Sequence, residues 1–418
     1  MFKSIRGTKD IFIPEILRWQ KLEETTRQVM KNYNFFEIRT PIFEETGLFA
    51  RGIGNETDIV SKEMYSFYDK GNVSLTLKPE MTAPVVRAFI QHNLGEFRPI
   101  NKFYYISPMF RQERPQAGRL RQFHQIGAEI FGVENYFADG ELIILAFDLL
   151  KQLNVKNIKL DLSSVGCENC RPAYIKKLVD YFKPFEKELS KESQVRLKKN
   201  PLRILDSKDE QDLKYKKEAP KLLEFLCNEC KSHYEGLKDF LLLNSIEFYE
   251  NPFLVRGLDY YTKTAFEFTS SDLGSQDAIC GGGRYDLLVE QLGGKPTPGV
   301  GWACGIERIL LASQKFDEET KIELDVFFIV LGQELKKKTY SYISEIRKQD
   351  ISCEVDLLER SLKSQLRKAN RMNAKFALIL GEDEFTKGIV LCKNLINGEQ
   401  FELKLENFIS RLKELIKT

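Results

Sequence analysis

Histidine is scarce in this chain, with three in 418 residues, and that leaves little scope for activating a cysteine thiol as a nucleophile. Nowhere is there an apolar run of about 18 residues, the length that reads as a membrane-crossing helix. The opening MFKSIRGTKD leads into a charged amphipathic segment with no apolar signal region, so a cytoplasmic protein without a membrane partner is expected. Charge of one sign is also missing. Lys+Arg number 63 against 61 Asp+Glu, a formal net charge of +2, so the overall field neither announces nor excludes a polyanionic partner and any nucleic-acid surface must be local. There are no internal repeats and no low-complexity tract, and neither a P-loop nor a dinucleotide-binding fingerprint occurs.

What is present begins with size. A single hydrophobic core stops growing at roughly 250–300 residues, so a chain of this length that is 42% hydrophobic is expected to form several cores. From Pro14 to about Asn32 the apolar residues Ile16, Leu17, Trp19, Leu22, Val29 and Met30 follow a helical period. The stretch FFEIRTPIFEE then reads as β-rich, with Pro41 at an edge or strand end. VSLTLKPE and NKFYYISPMFRQE are strand-like around a helix at about Thr82–Gln91, which points to an antiparallel sheet flanked by helices. Lysine and glutamate rise over residues 166–250, where helical periodicity predicts an inserted module. After a polar linker near 318–323, strand and helix alternate, predicting a small α/β domain with a mostly parallel core. The boundaries read from this pattern are 1–165, 166–250, 251–318 and 324–418.

Four stretches carry chemistry. In residues 103–132 two β-type runs flank the loop RPQAGR, a hairpin. Strand alternation puts Arg121, Phe123, Gln125, Gly127 and Glu129 on one face, and Arg111 and Glu113 together on the preceding run. Such a face suits a planar, charged ligand, since arginine grips phosphate and phenylalanine stacks a base. A solvent-facing strand with cross-strand ion pairs is the alternative. GVGWACGIERILL brings Gly305 and Arg308 to a helix start, where anions are favoured, although such glycines are more commonly close packing and such an arginine more commonly solvated. LVRGLDYY sets Arg256 beside Tyr260 and Tyr261, and CGGGRYD allows close backbone approach or a tight turn.

Taken together and in this order, these stretches resemble class II aminoacyl-tRNA synthetases over nearly the whole chain, and within them the histidyl-tRNA synthetase family. FFEIRTPIFEE is similar to motif 1, the dimerisation element; FRQE through RQFHQIGAEIFG is similar to motif 2; GVGWACGIERILL is similar to motif 3. VRGLDYYTKTAFEF and CGGGRYDLL look like the two histidine signatures. The resemblance implies an α+β class II catalytic domain built from two separate stretches, residues 1–165 and residues 251–318. A helical insertion at 166–250 would interrupt it, and a C-terminal α/β anticodon-binding domain at 324–418 would follow. The resemblance also implies a homodimer that forms histidyl-adenylate from histidine and ATP with Mg2+, then esterifies the tRNA for histidine.

The family pattern carries over residue by residue. Arg111, Glu113, Arg121, Phe123 and Arg308 would bind ATP, and Arg256, Arg111 and Arg308 would be catalytic. Glu80, Thr82, Arg111, Gln125, Glu129, Arg256, Tyr260 and Tyr261 would hold histidine, with Glu129 and Tyr261 bracketing the imidazole. Gln116 and Arg119 would meet the acceptor end of the tRNA. Lys363, Arg367, Lys368 and Arg371 share a helix that could touch phosphate or be merely solvated.

Eight cysteines in so long a chain do not make a secreted disulfide framework. Cys280, Cys304, Cys353 and Cys392 read as small buried apolar residues. Cys167, Cys170, Cys227 and Cys230 form two Cys-x-x-Cys pairs, either a structural zinc site or reduced, metal-free thiols. Some family members carry four such pairs; Ser190, Ser193 and Ser207 stand here where the middle pairs would be. The rival reading is a non-catalytic relative, the regulatory subunit of ATP phosphoribosyltransferase. Retention of Arg111, Arg256, Arg308, Tyr260, Tyr261 and a C-terminal α/β domain argues against it.

Overall fold

The computed structural model divides into two units, Met1–Asp317 and Glu318–Thr418. It describes residues 2–54, 57, 59–116, 118–254, 258–273, 277–313, 324–358 and 360–417. Arg256, named above as catalytic, lies outside the described residues.

In the first unit the strands are β1 (Phe36–Glu37), β2 (Phe43–Glu45), β3 (Tyr65–Tyr68), β4 (Ser74–Leu77), β5 (Asn101–Phe110), β6 (Gln122–Phe131), β7 (Ile158–Gly166), β8 (Tyr249–Glu250), β9 (Thr262–Ser270), β10 (Ala278–Arg284) and β11 (Gly299–Gly305). Eight of them form one sheet in the order β1-β5-β6-β11-β10-β9-β7-β8, antiparallel except for the two edge pairs, and β2-β4-β3 form a small antiparallel sheet. Period-2 alternation decides what each face of the large sheet meets. Ile126, Ala128 and Ile130 of β6 pack under the helices Glu15–Asn32, Phe137–Gln152 and Asn228–Leu243, whose Trp19, Leu142, Leu149, Tyr234 and Leu237 complete the larger core. The opposite face meets helix Thr82–Gln91 through Val85, Val86 and Phe89, which pack with Tyr105, Phe131, Tyr260, Tyr261 and Tyr285. Each such apolar side chain contributes about 1.5–3 kcal/mol on burial.

Two features of this unit were not legible from periodicity. Arg284 and Asp139 are both fully buried and paired, and the guanidinium also donates to the carbonyls of Val133 (2.8 Å) and Asn135 (3.0 Å) and to Asp286 (3.0 Å). The segment 166–250 does not pack as one body. Tyr174, Leu178, Phe182, Leu197, Ile204 and Leu222 form a separate small core, whereas helix Asn228–Leu243 joins the main one. Inside the small core Asp212 accepts from the hydroxyls of Ser190 (2.7 Å), Ser193 (2.6 Å) and Ser207 (2.6 Å). The three serines therefore converge on one carboxylate. Burial opposes that charge, but the donated hydrogen bonds outweigh it and hold the group below its usual range.

The second unit carries β12 (Leu324–Val330), β13 (Cys353–Val355), β14 (Ala374–Leu380), β15 (Ile389–Asn394) and β16 (Gln400–Lys404) in the order β13-β12-β14-β15-β16. The first three are parallel and the last two antiparallel, so the sheet is mixed, against the expected mostly parallel core. The difference begins at β15, which runs antiparallel to β14, and β16 pairs antiparallel beyond it. On helix Leu362–Arg371, Lys363, Arg367 and Arg371 are exposed while Lys368 lies 5.4 Å over the ring of Phe327. Among the described residues no helix is long and apolar enough to cross a membrane.

Candidate active site

The hairpin β5–β6 and the strands β9, β10 and β11 wall a cavity of about 280 Å³. It gathers Glu80, Thr82, Arg111, Glu113, Arg119, Phe123, Gln125, Tyr260, Tyr261 and Arg308, which are far apart in sequence. Strand β5 ends at Phe110, so Arg111 and Glu113 reach the cavity from the irregular connection rather than from a strand. Arg111 is fixed by donation from Nε to the carbonyl of Pro79 at 2.9 Å and lies 5.1 Å over the Phe123 ring. One of its terminal nitrogens stands 3.7 Å from Glu113, and Arg119 stands 3.5 Å from the same carboxylate. Arg308 follows the N-cap Gly305 of helix Ile306–Ala312 and donates to the carbonyls of Gly118 (3.3 Å) and Ala278 (2.5 Å). Burial and the neighbouring Arg119 both work against its charge, a strain that an incoming anion relieves.

Glu129, expected to bracket the imidazole, does not line the cavity itself but lies behind Thr82. Glu129 is fully buried and accepts from the hydroxyls of Thr82 (2.9 Å) and Tyr285 (2.5 Å). Burial pushes its carboxyl up to about 8, against the pull of those two hydrogen bonds and with some help from the nearby charge of Glu80. Glu80 itself caps helix Thr82–Gln91, accepting from the backbone N–H of Thr82 (2.7 Å) and of Ala83 (2.9 Å). Glycine is required at two neighbouring positions. A Cβ on Gly301 would stand 1.6 Å from Glu129 Oε2, and one on Gly127 would stand 2.2 Å from the phenol oxygen of Tyr105. Gln125 Oε1 is buried without a hydrogen-bond partner in the free chain, an acceptor of the kind an ammonium ligand satisfies.

Two residues of the motif 2 loop do not reach the cavity wall. Arg121 exchanges backbone hydrogen bonds with Gly7 and Arg111, and its aliphatic stem covers Gly7. Gln116 pairs with Arg119 across the loop tip and lines a neighbouring pocket with Lys9 and Trp19. Gly282 and Gly283 of CGGGRYD meet Trp302, Tyr261 and neighbouring carbonyls rather than open space. Sequence reasoning missed Tyr285 as the partner of Glu129, although it lies inside the quoted CGGGRYD; only the fold shows its ring turned toward β6.

Away from the cavity, the sulfurs of Cys167, Cys170, Cys227 and Cys230 all lie within 4.8 Å of one another. The separations 167–170 and 167–227 are 3.7 and 3.8 Å, the edge of a tetrahedron of roughly 2.3 Å Zn–S bonds. This is the one such cluster of potential metal ligands among the described residues. Cys280, Cys304, Cys353 and Cys392 are buried, as expected of small apolar residues.

An antiparallel sheet with flanking helices, an arginine on the motif 2 connection and another after a glycine-led helix start define the class II aminoacyl-tRNA synthetase catalytic fold. The histidyl-tRNA synthetase family profile matches residues 7–169 and 187–309, and an anticodon binding domain profile matches 325–415. The histidine–tRNA ligase of Halothermothrix orenii is 47% identical over 99% of both chains, and that of Desulfitobacterium hafniense DCB-2 is 47% identical over 96% of both. The solved structure of apo Staphylococcus aureus histidyl-tRNA synthetase, 36% identical, superposes with a TM-score of 0.83 over 99% of this chain and 100% of that one. The chain belongs to the histidyl-tRNA synthetase family.

Proposed function

We propose that this chain activates histidine with ATP in the cavity just described and passes it to its tRNA, and that Glu129 and Tyr261 read the imidazole while Arg111 and Arg308 hold the phosphates. The observation that carries the reading is the division of the cavity. One part of its wall is cationic and aromatic, with Arg111, Arg119, Arg308 and Phe123, and another carries Thr82, whose hydroxyl donates to the fully buried Glu129 just behind the lining. A carboxylate oxygen of histidine attacks the α-phosphorus, the new P–O bond forms as the bond to pyrophosphate breaks, and Arg111 and Arg308 stabilise the charge that builds on the oxygens. Arg256 is proposed for the same task beside the α-phosphate. Glu113 and Phe123 face the adenine, with Arg121 bracing the loop behind them. Gln125, Glu80, Thr82 and Tyr260 surround the amino-acid backbone end.

In the second step a ribose hydroxyl of the tRNA terminus attacks the histidyl carbonyl and AMP leaves. Gln116 and Arg119, at the tip of the motif 2 loop, are proposed to meet the acceptor end. The second unit is proposed to bind the anticodon. Glu267 at the cavity wall offers a hard oxygen donor of the kind Mg2+ takes, and a bound Mg2+ would spread the charge of the departing pyrophosphate. The four-cysteine cluster fits a structural zinc ion by distance and by ligand type. The cytoplasm is the expected compartment.

Arg111→Met tests the assignment. Losing a preorganised cation aimed at developing charge costs about 10²–10³-fold in kcat, so histidine-dependent adenylation should fall by that factor with the melting temperature unchanged; wild-type turnover would refute the role. Family resemblance and apolar exposure on the small sheet, at Phe43, Phe67 and Tyr68, support a homodimer. Sedimentation equilibrium should give about twice the monomer mass of 48.6 kDa, and a monomer at micromolar concentration would contradict it. The regulatory-subunit reading is disfavoured by the anticodon-domain match and by the arginines at the cavity mouth.

A further inference from the structure

We propose that the four-cysteine cluster positions the segment that reads histidine, so that its metal occupancy sets the affinity for histidine while leaving that for ATP alone. The inference rests on the zinc reading of the cluster and on Tyr261 as an imidazole partner. Its basis is connectivity. Each Cys-x-x-Cys pair sends a side chain onto the stretch from Tyr261 to Lys263. From the first pair Arg171, next in sequence to Cys170, donates from Nη2 to the backbone carbonyl of Tyr261 and from Nε to that of Val165 at 3.2 Å. From the second pair Glu229, between Cys227 and Cys230, holds Lys263 Nζ at 2.8 Å.

The backbone between cluster and pocket needs such holding. Lys263 has φ of +49°, a conformation that residues other than glycine rarely adopt, and it lies where the β7–β9 register shifts opposite Gly166. Gly166, immediately before Cys167, has φ of +63°, and a Cβ there would stand 2.7 Å from that of Cys170. Ser164 donates its hydroxyl to the carbonyl of Lys263 at 2.9 Å. One turn beyond Cys230, His233 meets the hydroxyl of Thr264 at 3.2 Å. The irregular backbone leaving Tyr261 is thus clamped from two chain segments, 167–171 and 227–233.

Those two segments meet each other at the sulfurs. Four metal–thiolate bonds would fuse them into one body, whereas thiol contacts at 3.7–3.8 Å are weak. Removal of the ion therefore loosens the seat of Arg171 and Glu229 relative to each other, and with it the Tyr261 carbonyl and the phenol it carries. Arg111, Glu113 and Phe123 hang on the β5–β6 hairpin and its loop, reached by neither Arg171 nor Glu229. The ATP side should not feel the change.

The test uses the full chain, zinc-loaded and then stripped by an organomercurial with chelator followed by reduction, and an Arg171→Met variant in both forms. Metal content is read by plasma mass spectrometry, and affinities by equilibrium dialysis with labelled histidine and, separately, labelled ATP. One zinc per chain is expected. Stripping and Arg171→Met should each raise the Kd for histidine about tenfold with the ATP Kd within about twofold, and stripping the variant should add little because both cut one path. Equal losses for histidine and ATP, unchanged histidine affinity, or effects that multiply would overturn the proposal. A chain that holds no metal and takes up none would sink the zinc reading itself, which the metal analysis alone decides. If Arg171→Met does not fold, Glu229→Gln at the exposed end of the second clamp replaces it, with about a threefold rise expected and none contradicting.

Discussion

Glu129→Gln should lower kcat/KM for histidine by about 10³-fold or more while leaving the KM for ATP near its original value. Glu129 is a fully buried acceptor directly behind the cavity-lining Thr82, and a neutral imidazole offers one donor and one acceptor nitrogen for a carboxyl group and a phenol to read. An amide puts an N–H₂ donor where a carboxyl oxygen stood, so the imidazole loses a matched partner in a site that water cannot repair. The same substitution should not weaken the fold. Glu129 has its carboxyl raised to about 8 from an ordinary 4.5 by burial. A group whose folded value lies above its unfolded value contributes stability that is complete below pH 4.5 and lost as pH rises through about 8. The variant escapes that loss. Its melting temperature should therefore equal the parent's near pH 4.5 and exceed it at pH 8, as differential scanning fluorimetry across that range would read. A lower melting temperature at pH 8, or intact histidine activation, would remove Glu129 from its assigned place.

The second large effect is on stability. Asp139→Asn leaves the buried guanidinium of Arg284 with Asp286 as its remaining carboxylate partner and removes the fully buried one, and breaking a buried pair by removing one partner costs about 3–5 kcal/mol. The fall in melting temperature should be roughly 10 °C, because Arg284 sits on the central strand β10 and ties it to helix Phe137–Gln152. Burial alone would raise the Asp139 carboxyl, but Arg284 and then His233 overcome it and hold it at about 2. The sign is opposite to that of Glu129: the contribution is present above about pH 4 and lost only as pH falls through about 2. In the neutral range the penalty of the variant should be flat with pH. Reversion of the loss by Asp139→Glu would locate the effect in the charge, and an unchanged melting temperature of Asp139→Asn would refute it.

How much of this the sequence discloses depends on the range of the interaction that carries it. The β5–β6 hairpin and the shared facing of Phe123 and Gln125 follow from period-2 alternation around a polar loop, and the structure has both. Arg121 shares that periodicity yet lies one residue before the strand, where alternation no longer governs direction, and it turns to Gly7. Helix Asn228–Leu243 is as charged and periodic as its neighbours in the insertion, and only the partners of Tyr234, Leu237 and Leu241 place it in the main core. Tyr285, Arg284 and Asp139 owe their roles to contacts more than 140 residues apart in the chain, which no local pattern encodes. The role of Asp212 is nearer to hand but equally hidden, since three serines become a cluster only when two helices and a turn converge on it.

The central claim, a cavity that adenylates histidine and no other amino acid, is tested most directly by ATP–pyrophosphate exchange on the purified chain with Mg2+ and each of the twenty amino acids in turn. Exchange stimulated by histidine alone is the predicted result. No exchange from a folded chain, or exchange stimulated by a different amino acid, would contradict it.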